Sequence, residues 1–427
     1  MDDFRAIILA AGKGTRMKSE LPKVLHKVAG KPVIQYVLDI TKYLRSLKTY
    51  VVVGHKSELV KAYVGKSVEV AIQKQLLGTA DAVRSVVPHL KNYHGHVLIL
   101  CGDTPLLDKD IIRRLIRKHL KTKVACTVLT ARIPDPGSYG RIIRDPQDSI
   151  SAIREFKDAT FDERAINEIN VGVYCFRAPL LLETLKKVKL NPNKKEFYLT
   201  DIVELLLNQG NKVETLMTDD PNVAFGVNTR EDLALCESIL RQRITKRLML
   251  DGVTIVDPKT TFIDDDVKIG RDTIIYPFTV IHSGVKIGHE CSIGPFARLR
   301  PGTVIGNKVE IGNFGEISRS KIGDGTVMKH FGFWGDAHVG LNVNIGAGSV
   351  TANYDGVEKS KTIVGSEAFI GSDAVLVAPV EVGSKAVVGA GSVVTKGKRI
   401  PDGGLAVGVP AKIFSERNLK NNRRKKT

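Results

Sequence analysis

Two hydrophobic rhythms divide this chain. Up to about residue 230, short aliphatic runs alternate with amphipathic stretches. Residues 4–11, 49–53, 68–72, 96–101 and 126–131 are mostly apolar and are bounded by polar or turn-forming residues. Continuous apolar runs of this length predict strands buried on both faces. Between them, 32–44, 79–89 and 108–119 carry apolar residues at helical spacing. Strand and helix in alternation predict an α/β fold, a doubly wound, Rossmann-like and mostly parallel sheet. Residues 230–249 then predict one helix, with Leu233, Leu235, Ile239, Ile244 and Leu248 as its apolar positions.

Beyond about residue 250 the period becomes six. Counting in sixes from Ile263 gives Ile269, Ile275, Ile281, Ile287, Ile293, Leu299, Ile305, Ile311 and Ile317. A second series runs Val364, Ile370, Leu376, Val382, Val388, Val394 and Ile400, and Gly often follows the aliphatic residue. A short fixed period predicts a solenoid. Three hexapeptides close one coil of a three-sided parallel β-helix. The aliphatic residue points to the axis, and the small or polar residue after it turns the corner. Between Ile317 and Val364 the frame slips: Ile322, Met328, Val339 and Ile345 share no single register, and Asn353-Tyr354-Asp355-Gly356 reads as an inserted loop. Interruptions in a repeat array are where function concentrates. The expected domains are 1–229, a linker helix 230–250, a β-helix over 251–414 and a basic flexible tail over 415–427.

Composition narrows the partners. The 427 residues are 43% hydrophobic and 26% charged, a globular balance in a chain too long for one core. Lys and Arg outnumber Asp and Glu by 64 to 46, for a net charge of +18. That suits anionic ligands such as phosphates. The tail carries Arg417, Lys420, Arg423, Arg424, Lys425 and Lys426. No aromatic platform or helix-turn-helix pattern accompanies it, so a solvated segment is expected and a nucleic-acid partner is not. No apolar stretch approaches the length of about 18 residues that spans a membrane, and the run at 6–11 is too short for a signal peptide. A cytoplasmic protein without membrane insertion is expected. Cys101, Cys126, Cys175, Cys236 and Cys291 are dispersed with no CxxC pair, which argues against a disulfide framework or a cysteine zinc site.

The first strand runs into Leu9-Ala10-Ala11-Gly12-Lys13-Gly14-Thr15-Arg16-Met17, with Pro22-Lys23 downstream. Glycines let backbone N–H groups close on phosphate oxygens, and Arg16 and Lys23 can neutralise a triphosphate. The spacing is neither a Walker A loop nor GxGxxG. Asp103 follows a predicted central strand, at the end of the sheet where open α/β folds bind ligands. A carboxylate there suits Mg2+.

These residues resemble the sugar-1-phosphate nucleotidyltransferases, whose pattern L-x-A-G-x-G-T-R-(M/L)-x-x-x-x-P-K is met at every specified position. Residues 73–79 (QKQLLGT), Cys101-Gly102-Asp103, Tyr139-Gly140-Arg141-Ile142, Glu155, Asn170 and Asn228 extend the likeness, in order, to uridylyltransferases acting on N-acetylglucosamine 1-phosphate. The resemblance implies uridylyl transfer from UTP, with Arg16 and Lys23 catalytic on the phosphates and Asp103 and Asn228 holding Mg2+. It places Gln73 and Gly78 at the uracil edge and Gly140, Glu155 and Asn170 at the sugar. Leu9, Ala10, Ala11, Gly12, Gly14, Thr15 and Thr79 complete the nucleotide-sugar site. Cys101 stands where this family often has Tyr.

The second half is similar to bifunctional enzymes that join such a uridylyltransferase to a glucosamine-1-phosphate acetyltransferase built on a left-handed β-helix. The carrying residues are 293–301 (IGPFARLRP), Gly312-Asn313-Phe314, Glu316, His330, Gly335-Asp336-Ala337, 344–348 (NIGAG), 353–356 (NYDG), Lys359 and Gly371-Ser372. The resemblance implies acetyl-CoA as co-substrate and a homotrimer with sites between prisms. A neutral imidazole can take a proton from an ammonium near pH 7, and the resemblance names His330 for that role. It assigns Arg300, Asn344 and Lys359 to the amino-sugar phosphate, and Ala347, Asn353, Tyr354, Ser372 and Ala390 to acetyl-CoA. Two positions depart from the family. Ser318 stands where a lysine is expected beside Arg300. Arg319 is adjacent, but neighbours on a strand face opposite ways. Phe333 stands where the family has Tyr. An alternative therefore stays open: a uridylyltransferase whose β-helix is a trimerising scaffold, or an acyltransferase for a different amino sugar.

Overall fold

The five aliphatic runs of the first half assemble as strands β1 (Phe4–Ala10), β2 (Lys48–Val53), β3 (Glu69–Ile72), β4 (His96–Cys101) and β5 (Cys126–Arg132), and two strands that sequence reading missed, β6 (Glu168–Arg177) and β7 (Val213–Thr218), join them. In this computed structural model, which describes residues 4–192 and 194–415, their order is β7-β5-β6-β4-β1-β2-β3. β1 pairs in parallel with β2 and β4, β2 with β3, and β7 with β5. Along this path β6 runs antiparallel to both β4 and β5, and two further strands of the same sheet, Arg141–Arg144 and Ile150–Arg154, lie off the path and pair antiparallel with β6 and with each other. Ala6, Ile8, Leu98 and Leu100 are buried with one core, and Ile7, Val97 and Ile99 with the other. Both faces are covered, so the strands read as unbroken apolar runs. The helix Val33–Tyr43 covers the first face, and Thr79–Arg84 covers the second. The expected helix over 79–89 stops early and continues as the 3-10 turn Val87–Leu90, where Pro88 cannot extend an α-helix.

The path of the chain through this sheet fixes where a ligand can sit. From β1 the chain moves outward to β2 and β3, then returns to β4 on the other side of β1. The reversal leaves a crevice beyond the C-terminal ends of β1 and β4, where α/β sheets hold their ligands.

The chain forms two units, 1–237 and 238–427, dividing inside the helix Arg230–Leu250. From Thr254 it winds as a parallel β-helix of three sheets, and the last strand, Lys412–Phe414, folds back antiparallel on Leu405–Val407. Ile275, Ile293 and Ile311 stack on one side and Ile281, Leu299 and Ile317 on the next. The aliphatic series is buried from Ile275 to Ile317, and Ile269 is half-buried. A second inward row lies two residues before each of these: Thr273, Thr279, Val285, Cys291, Ala297, Thr303 and Val309 are all buried. Sequence reading missed this row. Its members are small or β-branched, and their hydroxyls can turn to the backbone, as Thr273 Oγ1 does in donating to Gly288 O at 2.9 Å.

The frame slip has a local cause. The sides from Ile317 to Ile322 and from Trp334 to Val339 are one residue short, one in each of two successive coils. Trp334 and Thr351 take the inward places that the aliphatic series leaves, and both are buried. The longer coil, in which Val339 pairs with Val364, contains the inserted loop. The basic tail lies outside the described residues, apart from Ser415.

Candidate active sites

The crevice beyond β1 and β4 is a cleft of about 650 Å3. Leu9, Ala11, Gly12, Gly14, Thr15, Arg16, Lys23, Gln73, Gly78, Thr79, Asp103, Glu155 and Asn228 line it. Gly14 has φ 62°, and a Cβ there would fall 2.9 Å from Lys23 Cβ. Only glycine allows the loop to close on the lysine. At Gly12 nothing lies within 4 Å of that point, so the missing side chain keeps the cleft open rather than serving the protein's own packing. Gly78, at φ 99°, backs onto Phe197 O and N, 2.6 and 2.9 Å from where its Cβ would stand.

Charge converges at one point of this cleft. Lys23 Nζ donates to Asp103 Oδ2 and, at 3.0 Å, to Asn228 Oδ1. Two oxygen donors from distant segments thus meet on a single cation. Mg2+ binds proteins through one or two carboxylates plus substrate phosphates and water, and this pair in an open cleft fits that requirement. Among the described residues no cluster of three or more His, Cys, Asp or Glu offers a fully protein-ligated alternative.

Also lining the cleft is Glu155, whose carboxyl burial raises above its ordinary range, while Thr200 Oγ1 donates to it at 3.0 Å. Gln73 Nε2 donates to Gly78 O at 3.0 Å and to Asp81 Oδ2 at 2.8 Å, which fixes the carboxamide on the wall. Gly140 and Asn170 are joined to each other by a 2.9 Å backbone bond, and Asn170 Nδ2 donates to Tyr174 at 2.6 Å. These two, and buried Ala10, stand behind the lining rather than in it. Sequence reading missed Glu196 and Tyr198, which do line the cleft, and Leu76 of the 73–79 stretch lines it too. Burial and the nearby Asp158, Glu196 and Glu155 push the Tyr198 phenol up to about 12. The only trace of Glu196 and Tyr198 in the sequence is Glu196-Phe197-Tyr198, and no spacing rule marks it. Burial and Asp103 push the Cys101 thiol up to about 12, so it is an inert neighbour.

In the β-helix, His330, Ala347, Ser372 and Ala390 follow one edge on successive coils. Each lies three residues beyond a register-paired position: Val327, Asn344, Phe369 and Val387. A recess of about 220 Å3 gathers His330, Asn344, Ala347 and Ser372. The His330 imidazole is exposed and has no hydrogen-bond partner among the described residues. Arg300, Asn353, Tyr354, Lys359 and Ala390 are outside this recess in the single chain. Arg300 Nη1 pairs with Glu316 Oε1 at 2.9 Å, Asn353 Nδ2 donates to Asp336, and Tyr354 bridges to Lys359 across the loop.

The expectation for Arg319 needs correction. The strand Gly315–Ser318 ends before it, and Arg319 turns the corner at φ 50°, so the two side chains do not face opposite ways. Arg319 Nη1 donates to Ser318 Oγ at 2.8 Å, while Nε and Nη2 grip Asp336 at 2.7 and 2.8 Å. Ser318 follows Ile317, the register partner of Leu299, so it stands one coil beyond Arg300. The charge of Arg319 reaches this corner but is committed to Asp336.

Fold and sites together define a transferase of two parts, a nucleotidyltransferase sheet followed by a hexapeptide acyltransferase helix. Residues 6–165 match the MobA-like NTP transferase domain. Residues 266–301 match the bacterial transferase hexapeptide, and 361–396 the hexapeptide repeat of succinyl-transferase, the sequence pattern of a left-handed β-helix. Relatives named bifunctional protein GlmU span nearly the whole chain. That of Geobacillus thermodenitrificans is 42% identical over 99% of this chain and 98% of its own length. That of Clostridioides difficile is 40% identical over 97% of each, and that of Pelotomaculum thermopropionicum 44% identical over 89% of this chain and 90% of its own. The chain belongs to the family of bifunctional GlmU proteins.

Proposed function

We propose that this enzyme makes UDP-N-acetylglucosamine in two steps. Residues 251–414 acetylate the amine of glucosamine 1-phosphate with acetyl-CoA. Residues 1–229, joined to them by the helix over 230–250, then transfer uridylyl from UTP to the N-acetylated sugar. In that second step a sugar-phosphate oxygen attacks the α-phosphorus, the α–β bridging bond breaks and pyrophosphate leaves. Transfer of this kind depends on positioning and charge neutralisation. The glycine loop and Arg16 hold the triphosphate, Gln73 and Gly78 hold the base, and Glu155 holds the sugar, with Asn170 and Gly140 shaping the wall behind it. Asp103 and Asn228 would hold Mg2+, which offsets phosphate charge. Lys23 then turns from those oxygens toward the phosphates. In the other half, His330 takes the ammonium proton, so the amine can attack the thioester carbonyl and expel the thiol of coenzyme A. Arg300 and Lys359 reach such a site if it lies between prisms of a homotrimer. A cytoplasmic location suits all four small-molecule substrates.

The observation that carries this reading is the convergence of the glycine loop, Arg16, Lys23, Asp103 and Asn228 on one cleft. Purified protein with UTP, Mg2+ and N-acetylglucosamine 1-phosphate should release pyrophosphate, and Asp103→Asn should lower that rate by at least about a hundredfold. Normal turnover in the variant would overturn the metal assignment. A second reading, a uridylyltransferase with a weak or retuned acyltransferase, is favoured by buried Ser318 and by the commitment of Arg319 to Asp336. Thiol release from acetyl-CoA with glucosamine 1-phosphate, lost in His330→Ala, supports the first reading. No release in the wild type supports the second.

A further inference from the structure

A second cavity, of about 660 Å3, lies in the first unit at the opposite end of the sheet from the cleft. It opens beside Lys48 and Glu69, the first residues of β2 and β3, and at the C-terminal ends of the helices Val33–Tyr43 and Ser57–Val64. No residue of it belongs to either site described above.

Its charges are unbalanced. Lys48 pairs with Glu69, and Lys31 pairs with Asp39 at 3.0 Å. Lys42, Arg45 and Lys66 also line the cavity, and no carboxylate answers them among the described residues. Cations near helix C-termini have an ordinary explanation, since each helix end carries about half a negative charge. Two such ends offset about one of the three cations, which leaves roughly two positive charges over a concave surface.

One wall is apolar and fixed in place. Leu47 and Tyr63 remain 57% and 40% exposed on this cavity. Tyr63 donates its hydroxyl to Gln35 Oε1 at 2.8 Å, and Gln35 Nε2 donates to Asp39 Oδ1 at 2.8 Å. Asp39 is held in turn by Lys31. This chain of bonds sets the Tyr63 ring before any ligand arrives, which lowers the ordering cost of binding.

We propose that this cavity is a second ligand site, for a phosphate monoester of mononucleotide size that carries a ring. The phosphate takes charge-assisted bonds from Arg45 and sits between Lys42 and Lys66. The ring stacks on Tyr63. The volume nearly equals that of the cleft, 660 against 650 Å3, so a nucleotide-sized molecule fits.

Titration calorimetry of the full-length protein with AMP tests this. The wild type and the cleft variant Arg16→Ala should both bind AMP in a way that weakens as salt rises from about 50 to 200 mM. Arg45→Ala/Lys66→Ala should weaken that binding at least tenfold with an unchanged melting temperature and unchanged pyrophosphate release. Lys42→Gln, a milder change, should weaken it severalfold. Inorganic phosphate should bind at least tenfold more weakly than AMP, because it leaves Tyr63 unused. The proposal fails if the wild type does not bind AMP, if Arg45→Ala/Lys66→Ala binds it as tightly, or if Arg16→Ala alone abolishes binding. None of these three failing outcomes, which read AMP binding alone, depends on the activity proposed for the cleft.

Discussion

Gly14 and Lys23 are coupled by contact. A methyl group on Gly14 would press on Lys23 Cβ at 2.9 Å and would also have to hold φ 62°, which costs an L-residue about 1–2 kcal/mol. Gly14→Ala should therefore displace the lysine from Asp103 and Asn228 and raise the KM for UTP at least about tenfold. An unchanged KM in steady-state pyrophosphate release would show that the loop does not position Lys23. His119 makes a second prediction. It is fully buried, with its ring nitrogens 3.0 Å from His96 Nδ1 and Thr127 Oγ1. Burial, then His96 and Arg177, hold it down to about 4 from an ordinary 6.5. The folded-state value is depressed, so the unfolded chain binds the proton first as pH falls. The contribution to stability is complete above pH 6.5 and is lost on descent to about pH 4, by on the order of 3 kcal/mol. In urea unfolding, the advantage of wild type over His119→Gln should shrink across that window. A constant difference would mean that His119 is not held neutral.

In the β-helix, stability depends on how closely coils stack. A Cβ on Gly312 would fall 1.8 Å from Lys329 O, an overlap that only a shift of the next coil could relieve. Gly356 has φ 99° but nothing within 4 Å. Gly312→Ala should cost about 3 kcal/mol or more, and Gly356→Ala about 1–2 kcal/mol. Thermal unfolding of the two variants separates coil contact from backbone strain, and equal losses would show that stacking is not the cause. The repeat was legible because its aliphatic row recurs every six residues. The row of Thr273, Thr279 and Cys291 was not, since mixed small polar and apolar residues carry no hydrophobic period. The place of Trp334 was also hidden. It follows Phe333 in a broken frame, and only the two short sides show that it points inward.

At the scale of the molecule, the two proposed activities occupy separate units and share only a diffusible intermediate. A mixture of Asp103→Asn and His330→Ala proteins should convert glucosamine 1-phosphate, acetyl-CoA and UTP into the nucleotide sugar, although neither variant does so alone. No product from the mixture, with both proteins folded, would mean that one half depends on chemistry in the other. The cleft is assembled over long separations. Lys23 bonds to partners 80 and 205 residues away. A glycine loop is visible as a local pattern, but the meeting of its lysine with Asn228 follows from strand order.

Local pattern alone determined the first five strands, the six-residue repeat and the glycine cradle, because each is written in residues close together along the chain. Tertiary structure decided which charges are already paired. It placed Lys23 between Asp103 and Asn228, tied Arg319 to Asp336, and left Lys42, Arg45 and Lys66 without carboxylates among the described residues. Electrostatic pairing depends on distance through space, and that distance is set by strand order and coil register rather than by position in the sequence.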